Sequence, residues 1–290
     1  MLLNKPQPVN SIENLRDRVD RLLRATTKRS NGSSQLSLDL PLTLNFESAI
    51  NYPTKSIVEF LNFVTDALPD GEVYLFGGVL RDLALLGQEG FNSDIDIVVE
   101  GNWSSCVTYL ESLGARKNKF GGYRLKVSEW PVDIWNAKET WAIKQGLVQY
   151  KGIASLTETT VLNWDAILMN WRTRTFIYRP NYFEELNAGV LDIVLKENPD
   201  PLGMVVRVLR HLNLKYAKKV TLAAVTYLAD CTKRYSYEEI KSREIRSYGN
   251  SVIEPPIYRY FEHLKTYEHL ESRARNSLVH EILMEELGLN

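Results

Sequence analysis

The sequence has few cysteines, almost no net charge and no long apolar segment, and each of these absences excludes a class of protein. Its 290 residues include only two cysteines, Cys106 and Cys231. They are far apart and follow no metal-ligand spacing, so we expect reduced thiols in a cytosolic protein rather than a disulfide framework. The 35 basic and 36 acidic residues give a net charge of -1. Any binding of nucleic acid must therefore depend on a local basic patch.

The first residues also lack the features of a secretion signal. Met1 to Pro6 contain no basic start followed by an apolar segment, and no apolar run in the chain approaches the length of a membrane span. With 44% apolar and 24% charged residues, the composition is that of an ordinary globular protein. We therefore expect a cytoplasmic protein without a membrane partner, built from one large or two modest domains.

A pair of glycines at a predicted strand-to-helix turn is the first feature that indicates chemistry. Residues 73–76 are an apolar run typical of a short strand, Gly77 and Gly78 follow, and residues 79–86 carry apolar side chains at helical spacing. Glycines allow a backbone to approach a ligand closely. The amide groups at the start of a helix favour an anion such as a phosphate. The turn is therefore a candidate phosphate-binding loop.

Two aspartates in the next predicted strand are the second feature. Asp94 and Asp96 are two positions apart, so in a strand their side chains point to the same face. Ile95, Ile97 and Val99 point to the other face, toward a core. Carboxylates held side by side repel each other unless a cation lies between them. Mg²⁺ prefers oxygen ligands and commonly bridges substrate phosphates, so it is the cation that we expect here.

A third aspartate, Asp133, lies among apolar neighbours in the strand predicted over residues 131–135. A buried lone carboxylate is costly unless it pairs with a cation or binds a metal. An aspartate at a strand edge that faces water needs no such partner. The pattern alone leaves both interpretations of Asp133 open.

The order of these features resembles the nucleotidyltransferases of the DNA polymerase β superfamily, in particular the branch of class II tRNA CCA-adding enzymes and bacterial poly(A) polymerases. That branch carries Gly-Gly-x-Val-Arg-Asp followed by Asp-x-Asp. Here residues 77–82 read Gly-Gly-Val-Leu-Arg-Asp, and Asp94 and Asp96 follow after a connection that is a few residues longer than usual. The branch also has a Val-Asp-x-Ala-like strand soon afterwards, which is similar to the strand around Asp133.

The resemblance implies a fold and a division into domains. We expect an α+β nucleotidyltransferase head with a small, mixed and mostly antiparallel sheet, followed by an all-helical neck and body. The predicted divisions are an N-terminal helix and linker in 1–50, which the resemblance does not cover, the head in 51–196 and the helical part in 197–290. Asp200 and Pro201 begin a segment similar to the branch's link from head to neck, where Asp200 would cap the helix that Pro201 opens.

The resemblance also implies the chemistry of the site. Two Mg²⁺ ions would activate the attacking hydroxyl and neutralise the leaving pyrophosphate of an NTP. The catalytic and metal-binding residues would be the three aspartates, Asp94, Asp96 and Asp133. The nucleotide-binding residues would lie in the turn and at the start of the helix: Gly77, Gly78, Arg81 and Asp82. Arg81 and Asp82 would brace the loop. A second role for Arg81, facing a phosphate, stays open.

Several segments depart from the branch. Thr159-Thr160-Val161 stands where Arg-Arg-Asp is usual, and Asp165 stands in the place of an asparagine soon afterwards. Residues 136–141 replace Thr-x-Arg-x-Glu, and the Glu-Asp-x-x-Arg motif that reads the incoming base has no clean copy. These departures leave open which NTP is used and how its triphosphate is bound.

The predicted helical part begins with a local excess of basic residues. Residues 201–250 contain 10 Lys/Arg against 4 Asp/Glu, a balance of +6, whereas residues 251–290 contain 4 against 7. Basic residues interleaved with tyrosines suit contact with RNA, and a solvated helical surface is an equally open alternative. The candidate RNA-binding residues are Arg207, Arg210, Lys215, Lys218 and Lys219.

Three functions follow from these patterns. The first is Mg²⁺-dependent transfer of NMP from an NTP to an RNA 3′ end, with tRNA as the first candidate acceptor. The second keeps this chemistry but modifies a protein or a small molecule, as toxin or defence-type nucleotidyltransferases do, and the missing base-reading motif favours it. The third is a degenerate, non-catalytic module that binds nucleotide or RNA. It ranks last because all three aspartates are present.

Overall fold

The computed structural model describes residues 7–30, 56–68, 70–88, 91, 93–214 and 217–253. These residues divide into two compact units. The first contains the residues up to 159 together with 165–179, and the second contains 160–164 together with the residues from 180 onward. The linker predicted after residue 30, the candidate Lys215 and the end of the predicted helical part lie outside the described residues.

A seven-stranded sheet forms the centre of the first unit. Its strands are β1 (Glu72–Phe76), β2 (Ile95–Glu100), β3 (Arg116–Lys117), β4 (Tyr123–Val127), β5 (Trp130–Asn136), β6 (Ile167–Asn170) and β7 (Phe176–Tyr178). Their order across the sheet is β3-β4-β5-β2-β1-β6-β7. The neighbours β2 and β5 are parallel, and the other neighbouring pairs are antiparallel. The predicted α+β head with a mixed, mostly antiparallel sheet is therefore confirmed.

Among the described residues, five α-helices belong to the same unit as this sheet, and two of them begin with a hydrogen bond to a nearby serine. The α-helices of the first unit are α1 (Ile12–Ser30), α2 (Ile57–Asp66), α3 (Gly78–Leu86), α4 (Trp103–Ser112) and α5 (Trp141–Lys144). Ser56 caps α2, since its hydroxyl accepts a hydrogen bond from the amide of Glu59 at 3.1 Å. Ser11 does the same for α1, with the amide of Asn14 as donor at 3.3 Å.

One face of the sheet is divided between an apolar cluster and polar groups. Tyr74, Val98 and Leu168 are buried there, together with Ala137 and Leu156 from the connections after β5. In the register of the sheet, Tyr74 is the partner of Val98, and the next pair on the same face is Phe76 with Asp96. The apolar cover thus ends beside Asp96, and the carboxylate end of this face stays accessible.

The second unit is mainly helical. Its helices are α6 (Tyr182–Ala188), α7 (Pro201–Leu214), α8 (Leu222–Thr232) and α9 (Tyr237–Tyr248). The start predicted for α7 is observed, because a carboxylate oxygen of Asp200 accepts a hydrogen bond from the amide of Gly203 at 3.1 Å. None of the helices in the described part of the chain has the length and apolar character that crossing a membrane requires.

The prediction of an all-helical second part is wrong in one detail. The short strands β8 (Val190–Leu191) and β9 (Lys219–Val220) pair in parallel within the second unit. The amides of Lys218 and Lys219 both donate to the carbonyl of Gly189, at 2.8 and 3.0 Å. The backbone of this connection is therefore satisfied by a distant segment rather than by a helix.

The second unit also begins earlier than the boundary predicted at residue 196. Within this unit, the side-chain amide of Asn163 donates to the carbonyl of Val190 at 3.0 Å, and its oxygen accepts from the amide of Asp192 at 2.9 Å. The hydroxyl of Tyr182 donates to the carbonyl of Trp164 at 2.9 Å. These contacts join residues 160–164 to the segment after 180, which the sequence pattern does not reveal.

Candidate active site

The register of the sheet brings the predicted carboxylates together. Asp96 in β2 and Asp133 in β5 are direct partners across the parallel pair, so their side chains leave the sheet on the same face. Asp94 lies one residue before β2. The side chains of Asp94 and Asp133 are 43% and 24% exposed. The site is therefore partly desolvated but open to a ligand.

Arg124 in β4 is the site residue that the sequence analysis missed. Its Nη2 atom forms an ion pair with Oδ2 of Asp94 and lies 3.6 Å from Oδ2 of Asp133. The backbone register makes Arg124 the direct partner of Asp133 across β4 and β5. The alternation of exposed and buried residues in β4 could predict that Arg124 faces outward, but only the strand pairing places it beside the carboxylates.

The environment of Asp133 disfavours an isolated negative charge. Burial raises the pKa of the Asp133 carboxyl above its ordinary value, the charge of Arg124 lowers it, and the nearby charge of Asp94 raises it again. The net pKa shift is upward. Because the ionised form is costly here, a cation placed against these oxygens gains more than it would at a fully solvated aspartate.

The carboxylates supply the donor chemistry of a divalent metal site, although they are not arranged as one. In the described part of the chain, no group of three or more His, Cys, Asp or Glu side chains is placed to hold a metal ion. Carboxylate oxygens are nevertheless the ligands that Mg²⁺ prefers. The guanidinium of Arg124 already stands as a positive charge between Asp94 and Asp133. In this structure the space between these oxygens is therefore taken by a guanidinium rather than by a metal ion.

The glycine turn has the predicted strand-turn-helix geometry. β1 ends at Phe76, the partner of Asp96, and α3 begins at Gly78. Gly77 between them has φ +62°, a conformation that side chains other than that of glycine adopt with strain. The amide of Gly77 donates to the carbonyl of Ile167 at 3.0 Å. The backbone donors at this turn that suit a phosphate therefore begin at Gly78, two residues beyond the end of β1, the strand that neighbours Asp96.

Arg81 and Asp82 belong to a buried network that holds this turn. Arg81 is 7% exposed, and its guanidinium forms ion pairs with Asp82 at 2.9 Å and with Asp165. It also donates to the hydroxyl of Ser93 at 3.3 Å, and this hydroxyl donates to Asp82. Burial alone would lower the pKa of Arg81, but the charges of Asp165 and Asp82 raise it overall.

The network explains the aspartate that replaces an asparagine at position 165. Arg81 lies in α3, Ser93 precedes β2 and Asp165 precedes β6, so the network ties together the elements around the turn. The contacts support the bracing role of Arg81 and Asp82. A phosphate could reach this guanidinium only by displacing Ser93 or a carboxylate. Ser93 and Asp165 were not among the predicted site residues, because their contacts join distant parts of the sequence.

The basic candidates of the second unit differ in how accessible they are. Arg207, Lys218 and Lys219 are exposed. Arg210 instead forms an ion pair with the fully buried Glu244. Its guanidinium also lies 4.0 Å from the ring centre of Tyr248. The accessible part of the predicted patch is therefore smaller than its sequence suggests, since the charge of Arg210 is neutralised within the unit.

A cavity of about 310 Å³ lies at the opposite end of strands β1 and β2 from Asp96. Its lining residues are Asp70, Gly71, Glu72, Glu100, Gly101, Asn136 and Lys138. Glu72 and Glu100 are paired across β1 and β2, at the far end from Phe76 and Asp96. Because three carboxylates and one ammonium surround it, the cavity disfavours a triphosphate. The nucleotide site is therefore better sought at the glycine turn.

Comparison with known proteins supports a nucleotidyltransferase head. Residues 57–160 match the family model of the nucleotidyltransferase domain. This range contains the glycine turn, the three aspartates and Arg124. These residues, just over a third of the chain, are therefore similar to a nucleotidyltransferase domain, which supports the predicted relation to the polymerase β-like superfamily and the predicted enzyme class. A comparison with curated proteins gives no match.

The chain is also similar to solved structures of tRNA-processing enzymes. A CCA-adding enzyme in apo form I is 17% identical with a TM-score of 0.48, and the match covers 69% of this chain and 48% of that chain. A CCA-adding enzyme in complex with CTP is 18% identical with a TM-score of 0.47, with 87% and 54% covered. The Thermotoga maritima CCA-adding enzyme complexed with tRNA is 17% identical with a TM-score of 0.45, with 74% and 58% covered. The matches thus span only about half the length of these proteins.

Proposed function

We propose that the protein transfers a nucleotidyl group from an NTP, with Mg²⁺, to the 3′ end of an RNA in the cytoplasm, and that tRNA is the first acceptor to test. The observation that carries the proposal is the pairing of Asp96 with Asp133 beside the glycine turn. In this arrangement the carboxylate oxygens that would hold a cation lie close to the backbone donors that would bind phosphates. Phosphoryl transfer needs little more from a protein than such positioning and charge.

The chain's own residues divide the work as follows. Asp94, Asp96 and Asp133 would hold two Mg²⁺ ions, which supply activation of the acceptor hydroxyl and neutralisation of the pyrophosphate. Gly78 and the start of α3 orient the phosphates through the backbone. Arg81 keeps this turn in place through its ion pairs with Asp82 and Asp165. Because these contacts exist before any ligand binds, little reorganisation is needed when the NTP arrives.

The exposed basic residues of the second unit support RNA as the acceptor. Arg207, Lys218 and Lys219 are exposed, and no ion pair to them is found within the described residues, so they are available to contact phosphates. Arg210 would first have to leave Glu244, so it is the least suited of the predicted candidates. Solved structures similar to this chain include a tRNA nucleotidyltransferase complexed with a primer tRNA and an ATP analogue.

A second candidate function uses a protein or a small molecule as the acceptor. The neutralised Arg210 and the missing base-reading motif favour it, because both reduce what is available for recognition of a tRNA. The chemistry at the three aspartates would be unchanged. A toxin or defence-type enzyme is the corresponding biological setting. A third candidate is a non-catalytic module that binds nucleotide or RNA. In that case the paired aspartates would take no part in a reaction.

The proposal is tested by following the label from each NTP. The protein is incubated separately with α-labelled ATP, CTP, GTP and UTP, Mg²⁺ and a mixture of cellular RNA and protein, and the products are separated by size and by nuclease or protease treatment. Label in nuclease-sensitive material supports the RNA acceptor, and label in protease-sensitive or small products supports the second candidate. Asp96→Asn and Asp133→Asn serve as controls. Absence of labelled product with every NTP would contradict a transferase function.

A further inference from the structure

We propose that the side chain of Arg124 is a built-in cation of the active site, which occupies the space between Asp94 and Asp133 and must leave it before a divalent metal ion can bind there. The inference rests on the proposed metal-dependent function, since it concerns the same carboxylates. It assigns to Arg124 the role of a positioning residue that sets the metal affinity of the site. The supporting observations are the contacts of Arg124, the register of its strand and the exposure of its side chain.

A single nitrogen atom of Arg124 serves both carboxylates. Nη2 is paired with Oδ2 of Asp94 and is 3.6 Å from Oδ2 of Asp133. A metal ion shared by these two carboxylates would have to lie between them as well, and Mg²⁺ requires the much shorter ligand distance of about 2.0 to 2.1 Å. Two positive charges at one place repel each other. Metal ion and guanidinium therefore compete for Asp94 and Asp133.

The backbone keeps Arg124 close to the site. Arg124 is the direct partner of Asp133 in the antiparallel pair β4–β5, and Asp133 is the direct partner of Asp96 in the parallel pair β5–β2. The three residues therefore form one row across the sheet, on one face. Because the pairing of the strands fixes the backbone of all three residues, the backbone of Arg124 stays beside the carboxylates whichever way its side chain turns.

The side chain nevertheless has room to leave. It is 54% exposed, and β4 has only the two-residue strand β3 as its outer neighbour. Arg116 in β3 is the partner of Arg124, and Lys126 is two positions further along β4; both are exposed. These neighbours carry the same charge as Arg124 and cannot hold its guanidinium by attraction. Within the described residues, the ion pairs found for Arg124 are those to Asp94 and Asp133.

A metal-binding experiment tests the inference directly. Binding of Mn²⁺ and Mg²⁺ to the full-length protein, without nucleotide or acceptor, is measured by isothermal titration calorimetry. Binding of Mn²⁺ is also followed by its electron paramagnetic resonance signal. The proteins compared are the wild type, Arg124→Gln and Lys126→Gln. The control variant removes a positive charge from the same face of the same strand, in a residue whose register partner is Pro131 rather than a carboxylate.

We expect Arg124→Gln to tighten metal binding by about tenfold or more, because it removes a competitor that touches the ligands. Lys126→Gln should change the affinity by no more than about threefold, since it alters only the general field. Equal effects of the two variants would overturn the proposal, because the salt bridge would then be an ordinary surface contact. A weaker affinity of Arg124→Gln, or no metal binding by any of the three proteins, would overturn it as well.

Thermal unfolding gives a second readout. Saturating Mg²⁺ should raise the unfolding temperature of Arg124→Gln more than that of the wild type, because stabilisation by a ligand grows with its affinity. An equal rise would contradict the inference. These measurements do not depend on turnover. Tight metal binding by Arg124→Gln without any labelled product would mean that the inference holds and that the proposed function fails.

Discussion

Asp96 and Asp133 are direct partners on the adjacent parallel strands β2 and β5, although a helix and two further strands separate them in the sequence. A parallel pair requires such a crossover, since its strands cannot be joined by a tight turn. Here the crossover consists of α4, β3 and β4, and it also delivers Arg124 to the other side of Asp133. The site is therefore a consequence of the sheet topology, and substitutions can test each of its parts.

Replacement of a paired aspartate should remove activity without unfolding the protein. Asp96→Asn and Asp133→Asn each remove a metal ligand, so we expect loss of nucleotidyl transfer below detection. Each change also relieves repulsion among the carboxylates, so the unfolding temperature should not fall. Labelled-NTP assays and circular dichroism measure the two quantities. Asp66→Asn, in an exposed position of α2, is the matched control. Near-normal turnover of Asp133→Asn would mean that the three-carboxylate site is wrong.

The two glycines of the turn should respond differently to alanine. Gly77→Ala places a side chain at φ +62°, which we expect to destabilise the fold by about 1 to 2 kcal/mol. Gly78 has helical geometry, and a Cβ atom there would lie 3.4 Å from the hydroxyl oxygen of Ser93. Gly78→Ala should therefore fold normally but bind NTP more weakly. Urea unfolding and nucleotide titration separate the effects, and the opposite pattern would argue against a phosphate-binding role of this turn.

Loss of Arg81 should destabilise the protein strongly. Arg81→Met leaves Asp82 and Asp165 without their cation in a buried position, which costs about 3 to 5 kcal/mol. The double variant Arg81→Met with Asp165→Asn should be less destabilised than the sum of the two single variants, because the residues interact directly. Urea unfolding of all four proteins gives this coupling. Additive effects would show that the ion pair contributes little.

The exposed lysines of the second unit should contribute to RNA binding if RNA is the acceptor. Lys218→Glu combined with Lys219→Glu should lower the affinity for RNA. The slope of the logarithm of the affinity against the logarithm of the salt concentration should become shallower by about 0.7 to 0.9 for each phosphate that the variant no longer neutralises. Binding of NTP and Mg²⁺ should not change. The control combines Lys233→Glu and Arg234→Glu, which are also exposed in this unit. Parallel salt slopes for wild type and the Lys218–Lys219 variant would favour a protein or a small molecule as acceptor.

The thiols should be unreactive in the folded protein at neutral pH. Burial raises the pKa of Cys231 to about 11, and burial raises the pKa of Cys106 further. Since only the thiolate reacts, labelling by a disulfide reagent at pH 8 should be slow, and the rate for Cys231 should rise as the pH approaches about 11. The protein unfolded in urea should react at both positions at pH 8. Rapid labelling of the folded protein at pH 8 would contradict the burial of these side chains.

Short-range patterns of the sequence determined the individual elements and part of the site. The strand, glycine pair and helix around Gly77 were predicted correctly, as were the strand that carries Asp96 and the cap of α7 by Asp200. Each of these features depends on residues within one turn or one strand. Backbone geometry and local hydrogen bonds decide them, so composition and periodicity are sufficient.

Only the tertiary structure decided which distant residues meet. It placed Arg124 between Asp94 and Asp133 and joined Arg81 to Asp165. It also paired β8 with β9 in the second unit, so the first part of this unit is only partly helical. The unit includes residues before the boundary that was predicted at residue 196. The physical reason is that strand order and register depend on the packing of the whole sheet against its core. The alternation within one strand predicts which face a side chain takes, but it does not say which strand lies beside it.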